Sequence, residues 1–278
     1  MLPPGMQRRL LSFLEDDISV SDITSSVVPE RRCNARITLK ENAVLAGLEE
    51  AAFLLENRGC GVKVHAGAKD GTQAKAGTVV LEISGMNRSI LETERTALNI
   101  LGRMSGVATA CAQAVKIAKP CRVALTRKIM PGMNAFERRA ALLGGADTHR
   151  FNLADMVLIK SNHLVFFGSV GEAVKAAKEK TSFSKKIEIE VRTRTEALEA
   201  ARAEPDIIML DNFPLAEAKA AISEIKRINP HVLVEFSGGI NMKNLADYAA
   251  LKPDVISMGA LTKSAHSVDF SLSMQGAK

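Results

Sequence analysis

The 278 residues, 46% of them apolar, suffice for one large domain or two unequal ones with a substantial buried core. That composition excludes disorder, collagen-like repeats and a disulfide scaffold, and no run approaches the roughly 20 apolar residues needed to span a bilayer. The net charge of +6 comes from Lys and Arg spread along the chain; one Tyr and no Trp for base stacking weaken a nucleic-acid reading, and a strongly anionic small substrate fits the excess equally well.

The opening Met1–Arg9 carries charges without an apolar stretch long enough for a signal peptide. Cys33, Cys60, Cys111 and Cys121 are scattered, with no CxxC pair and no zinc-finger spacing, and read as reduced thiols. A cytoplasmic protein is expected.

Residues 6–15 have helical apolar spacing. Residues 35–46 read as a strand, and 47–57 as a helix capped at Gly59. Val62–Ala66, an Asp70-Gly71 turn and Thr78–Ser84 follow as strand, turn and strand. A long helical pattern covers about Ser89–Lys119. After Pro120 the rhythm changes. Short apolar runs at 122–125, 156–159, 186–191, 206–210, 232–236 and 255–258 alternate with helix-length stretches at 135–143, 171–180, 196–203, 215–228 and 241–250. This alternation predicts parallel βαβ units, as an incomplete α/β barrel or a doubly wound sheet. The segment 268–274 could return as a strand to the first unit.

Each apolar run ends on polar or Gly-rich chemistry: Thr126-Arg127-Lys128, Lys160, Glu190, Asp211-Asn212, Ser237-Gly238-Gly239 and Gly259-Ala260. In α/β barrels the C-terminal strand ends open on one face and carry the catalytic groups. Arg127, Lys128, His149, Arg150 and Lys160 could form a cationic pocket for a ligand with several carboxylates or phosphates. Glu190 and Asp211 would place two carboxylates on neighbouring strands, suited to Mg²⁺ beside a polyphosphate. The two glycine turns at successive strand ends suit a phosphate cradle.

Plainer readings compete. Glu188 and Glu190 alternate with Ile and share one strand face, which could be a solvated edge. Arg192 and Arg194 read as surface charges, and His163 as a loop cap or a functional group. His65, His231 and His266 read as structural or exposed, and Met130 and Met133 as packing residues.

As an ordered set, Glu94–Asn99, Thr126-Arg-Lys with Pro131-Gly132, Gly144-Gly145 with His149-Arg150, Leu158–His163, Ile187–Val191, Ile208–Asn212, Ser237–Ile240 and Met258–Thr262 resemble the quinolinate phosphoribosyltransferase family. The resemblance implies an N-terminal α/β sandwich (residues 1–110, completed by 264–278) and an open α/β barrel (111–263). It implies a Mg²⁺-dependent transfer of phosphoribosyl from phosphoribosyl pyrophosphate to quinolinate with decarboxylation, giving nicotinate mononucleotide, pyrophosphate and CO₂. A dimer, or dimers assembled into a hexamer, is implied too. Arg127, His149, Arg150 and Lys160 would bind the quinolinate carboxylates, joined by Arg95 from the partner subunit. Lys128 would contact phosphoribosyl pyrophosphate, with Lys128, Lys160, Glu190 and Asp211 as the catalytic set. Glu190 and Asp211 would serve the metal–pyrophosphate, and Ser237, Gly238, Gly239, Gly259 and Ala260 the 5′-phosphate.

Ile129, Met130, Thr148 and Ser161 depart from the family's usual residues and bear on the fine contacts. A related group encoded with molybdate transport, ModD, lacks the lysine at the position of Lys160. The alternatives are such a homologue, or a transferase acting on nicotinate or another base without decarboxylation.

Overall fold

The computed structural model describes residues 1–58 and 61–276. In chain order its elements are α1 (Pro4–Ile18), α2 (Ile23–Val27), β1 (Arg32–Leu39), β2 (Ala43–Val44), α3 (Leu48–Arg58), β3 (Lys63–Ala66), β4 (Gln73–Ala74), β5 (Val79–Met86), α4 (Asn87–Ala118), β6 (Arg122–Ala124), α5 (Asn134–Leu143) and β7 (Val157–Ile159). There follow α6 (Ser161–Leu164), α7 (Val170–Lys180), β8 (Ile187–Val191), α8 (Arg194–Ala203), β9 (Ile207–Asp211), α9 (Leu215–Ile228), β10 (Leu233–Ser237), α10 (Leu245–Ala250), β11 (Val255–Ser257), α11 (Ala260–Lys263) and β12 (Phe270–Gly276). None of the described helices is long and apolar enough to cross a membrane.

The first of two compact units holds Met1–Ala112, Met130–Gly145 and Ala265–Lys278. Its antiparallel sheet has the order β12-β1-β5-β3. Ala35, Ile37, Leu39, Leu81 and Ile83 alternate along β1 and β5 and bury one face with Leu48, Leu55, Ile90 and Leu98. The C-terminal strand β12 pairs with β1 from Cys33↔Gly276 to Leu39↔Phe270, as the sequence suggested. The single strand expected over 35–46 is instead β1 and β2, interrupted at Lys40–Asn42. The expected cap at Gly59, like Cys60, lies outside the described residues. Cys33, Cys111 and Cys121 are free thiols.

The second unit holds Gln113–Ile129 and Ala146–Ser264. Its sheet is parallel, order β6-β11-β10-β9-β8-β7, and the barrel is not closed. A bridge of Ala124 with Asp147 extends the β6 edge. Helices cover the outer face through small residues at helical spacing: Ala173 and Val174 on α7, Ala197, Ala200 and Ala201 on α8, Ala218, Ala221 and Ile225 on α9. Ser169 caps α7, and Thr193 with Glu196 forms a capping box on α8; each such cap is typically worth about 1 kcal/mol. The helix expected from Asn241 starts at Leu245, because Asn241 and Asn244 side chains engage the turn before it.

The expected barrel span of 111–263 was continuous, whereas Met130–Gly145 packs within the first unit. There Phe136 of α5 meets Phe13 at 6.0 Å, and Arg103 ion-pairs with the fully buried Glu137 at 2.6 Å. Arg139 gathers Glu49, Glu50 and Asp70. Of the two methionines read as packing, Met133 is buried at the N-cap of α5, but Met130 is exposed.

Glu50 is fully buried, and Arg139 Nε stands 3.3 Å away without hydrogen-bond geometry. Burial, partly opposed by Arg139, pushes its carboxyl up to about 7. Below the unfolded value the neutral acid stabilises the fold in full; as pH rises toward 7 the unfolded chain ionises first, so that contribution is lost. Such a shift corresponds to about 3 kcal/mol. Glu50→Gln should therefore flatten the pH dependence of Tm between pH 5 and 8, and thermal melts across that range check this. A variant whose slope matches the wild type would locate the titration elsewhere.

Candidate active site

Period-two geometry builds the interior of the second unit. Every second strand residue points inward: Arg122 and Ala124 on β6, Leu158 on β7, Glu188 and Glu190 on β8, Met209 and Asp211 on β9, Glu235 and Ser237 on β10, Val255 and Ser257 on β11. Register aligns them in layers. Glu190 lies beside Met209, Met209 beside Glu235, and above them Asp211 pairs with Ser237. The Ser257 hydroxyl donates to Ser237 Oγ at 2.9 Å in that upper layer.

At the C-terminal strand ends a cavity of about 240 Å³ is lined by Leu125, Thr126, Arg127, Lys128, His149, Arg150, Leu158, Lys160, Glu190, Met209, Asp211, Ser237 and Ser257. Arg127, Lys128, Arg150 and Lys160 thus share one space with the carboxylates of Glu190 and Asp211. Burial, and then the like charge of Arg127, lowers the Arg150 pKa. Lys160, N-cap residue of α6, directs Nζ to Glu190 Oε2 at 2.8 Å. Glu190 is only 6% exposed, so it needs that cation. The Lys160 amide donates to His163 Nδ1 at 2.8 Å, making His163 a cap.

The loop after β10 is a backbone cradle. Gly238 and Gly239 have φ of +86° and +65°, and Asn212 has φ of +51°. The Asn212 amide donates to the Ser237 carbonyl, while Asn241 and Asn244 side chains donate to the Gly239 carbonyl at 3.2 Å. At the next strand end the Lys128 side chain lies against Gly259, just before Ala260. Thr262 Oγ1 donates to the Lys128 carbonyl at 2.8 Å and fixes that turn. Arg95 belongs to the first unit, exposed on α4.

His149 joins the cavity lining as expected and is also held by protein partners. At φ +53° its Nδ1 accepts the Arg150 amide at 2.7 Å, and its Nε2 stands 3.4 Å from Glu188 and 3.3 Å from Glu235. Both ring nitrogens are therefore engaged by protein groups, and the residue also lines the cavity. Burial alone would lower the imidazole pKa, but the two carboxylates at Nε2 outweigh it and raise it. Burial in turn raises the Glu188 pKa. These three residues are close enough to surround a metal ion. An Nδ1 that accepts an amide, however, makes Nε2 the protonated nitrogen, with no lone pair for a metal.

Glu188 lies on an interior strand and is fully buried, which rules out the solvated edge. Sequence reasoning passed over Glu235 altogether, although an acid inside an otherwise apolar parallel strand was the available signal. Arg192 is exposed, as expected of a surface charge, and also reaches both acids: Nε lies 3.3 Å from Asp211 Oδ2 and the guanidinium 3.8 Å from Glu190 Oε1. Arg194 does behave as a surface charge, paired with Glu224.

Mg²⁺ suits Glu190 and Asp211. Their oxygens are hard donors of the kind this ion prefers, and one guanidinium reaches both carboxylates.

The family profile for the quinolinate phosphoribosyl transferase N-terminal domain matches residues 22–105, and that for the C-terminal domain matches 107–273. A probable nicotinate-nucleotide pyrophosphorylase (carboxylating) of Methanocaldococcus jannaschii is 43% identical over 98% of both chains. The human nicotinate-nucleotide pyrophosphorylase (carboxylating) is 36% identical, over 99% of this chain and 93% of that one. The solved nicotinate-nucleotide pyrophosphorylase of Francisella tularensis superposes with a TM-score of 0.93 at 32% identity, covering 99% of this chain and 98% of that one. With both domain profiles matched in order and full-length relatives on either side of the comparison, this chain belongs to the quinolinate phosphoribosyltransferase family.

Proposed function

We propose that this quinolinate phosphoribosyltransferase holds its dicarboxylate base with Arg127, Arg150 and Lys160 and its phosphoribosyl donor with Lys128 and the two glycine turns. The convergence of those cations on one cavity that also contains Glu190 and Asp211 carries the assignment. A pyridine with carboxylates on adjacent carbons needs cations from several directions, and the lining supplies them from the segment after β6, the segment before β7, and the end of β7. Arg127 and Arg150 offer planar forks for carboxylates, and Lys160 a point charge.

Holding the ring nitrogen over the anomeric carbon removes much of the entropic barrier. Loss of the 2-carboxylate as CO₂ leaves negative charge beside that nitrogen, which the surrounding cations stabilise. His149 supports this set from below: its engaged ring fixes the Arg150 amide, and with it the start of the Arg150 side chain. Glu190 and Asp211 would hold Mg²⁺, which when bound neutralises the diphosphate leaving group. The backbone of Ser237, Gly238 and Gly239, with Gly259 and Ala260, would take the 5′-phosphate. Arg95, exposed on α4, is proposed to complete the carboxylate site of a partner subunit in a homodimer.

With phosphoribosyl pyrophosphate and Mg²⁺ present, quinolinate should release CO₂ and nicotinate should give no turnover. Equal mononucleotide formation from nicotinate would overturn the assignment of separate cations to two carboxylates.

A further inference from the structure

The two acids of the cavity are neutralised in different ways. Lys160 makes a close, well-formed contact to Glu190 at 2.8 Å. Arg192 covers the other side, reaching Asp211 at 3.3 Å and Glu190 at 3.8 Å with its side chain 57% exposed. Its place follows from strand parity: one residue past β8, it still points to the side of Glu188 and Glu190, whereas Arg194 has entered α8 and turned to Glu224. A long, exposed ion pair of this kind is weak and easily exchanged.

We propose that Arg192 is an exchangeable counter-ion that couples divalent-cation binding at Glu190 and Asp211 to diphosphate binding beside them; this rests on the reading above that these acids serve the metal. A metal ion arriving alone would have to displace Arg192 and would meet Arg127, Lys128, Arg150 and Lys160 as further positive neighbours. A metal ion arriving with a diphosphate brings excess negative charge. The freed guanidinium then has a phosphate for its planar fork, close to the acids it has left. Arg192 therefore opposes metal alone and favours metal with diphosphate.

The two effects have opposite signs, which a merely structural residue would not produce. In Arg192→Gln, Mn²⁺ added alone and followed by electron paramagnetic resonance should bind roughly two- to fivefold more tightly, as expected from removing an exposed ion pair. Pyrophosphate titrated calorimetrically in saturating Mg²⁺ should bind about tenfold more weakly, as expected from losing one charge-assisted contact. Arg192→Lys should lie between wild type and Arg192→Gln in both measurements. Affinities that stay unchanged, or that move in the same direction, overturn the coupling. Should the wild-type protein itself fail to bind pyrophosphate with Mg²⁺, the metal assignment of Glu190 and Asp211 falls, and this inference with it.

Discussion

Lys160→Ala should lower kcat for CO₂ release by about 10³-fold, the scale of removing a preorganised charge from a partly desolvated site. The group lost is the close partner of Glu190 and one of the cations around the dicarboxylate. The fold should survive with a lowered Tm: Lys160 is about half exposed and caps α6 through its backbone, which the substitution leaves in place, and Arg192 remains beside Glu190. Circular dichroism and thermal melts would establish that, and a CO₂ release assay at saturating substrates would give the rate. Arg150→Ala should behave similarly. Near-normal turnover in either variant would disprove the placing of the base among these cations.

Gly238→Ala should raise KM for phosphoribosyl pyrophosphate by about 10²-fold while leaving quinolinate binding nearly unchanged. A Cβ at Gly238 would come within 2.5 Å of the Asn212 side chain and 2.6 Å of the Asn212 amide, and Gly238 has φ of +86°. The left-handed backbone costs an alanine about 1–2 kcal/mol, and the clash with a backbone atom cannot be relieved by rotating a side chain. The loop must shift, and with it the amides proposed to hold the 5′-phosphate. At the second glycine turn, a Cβ on Gly259 would first meet the flexible Lys128 side chain at 3.0 Å and then Thr126 Oγ1 at 3.5 Å, so Gly259→Ala should be milder. Initial-rate kinetics with each substrate varied in turn distinguishes the cases, and equal effects on both KM values would argue for general loosening instead.

The parallel strands were legible because each is a short apolar run closed by polar or glycine residues, and both period and punctuation survive in the one-dimensional text. Arg127, Lys128, Arg150 and Lys160 could be nominated for the same reason: they stand at or beside strand ends, and strand ends of a barrel meet. What a residue does after arriving there is set by its neighbours. Nothing in the run Val232–Phe236 says that Glu235 faces a histidine from a loop some 85 residues earlier. The partners that hold the ring of His149, namely the Arg150 amide, Glu188 and Glu235, could not be read from the sequence for that reason. Arg192 is exposed, as expected, but its contacts with Glu190 and Asp211 were not foreseen; the alternation of β8 carries on for one more residue and turns it toward them. The allegiance of Met130–Gly145 to the first unit was hidden by the sequence order, since partners such as Phe13 and Glu49 lie over 80 residues away.

The alternation along β8 to β11 separates two tasks that many proteins entangle. Ile187, Ile189, Val191, Ile208, Leu210, Val234 and Phe236 meet the helix layer, while Glu188, Glu190, Met209, Asp211, Glu235 and Ser237 meet the cavity side. Ligand preference could therefore be retuned at Leu158 or Met209 with little disturbance to helix packing. Gaining or losing one amino acid within a strand would instead exchange the two rows beyond that point, so the scaffold tolerates a change in a connecting loop far better than one inside a strand.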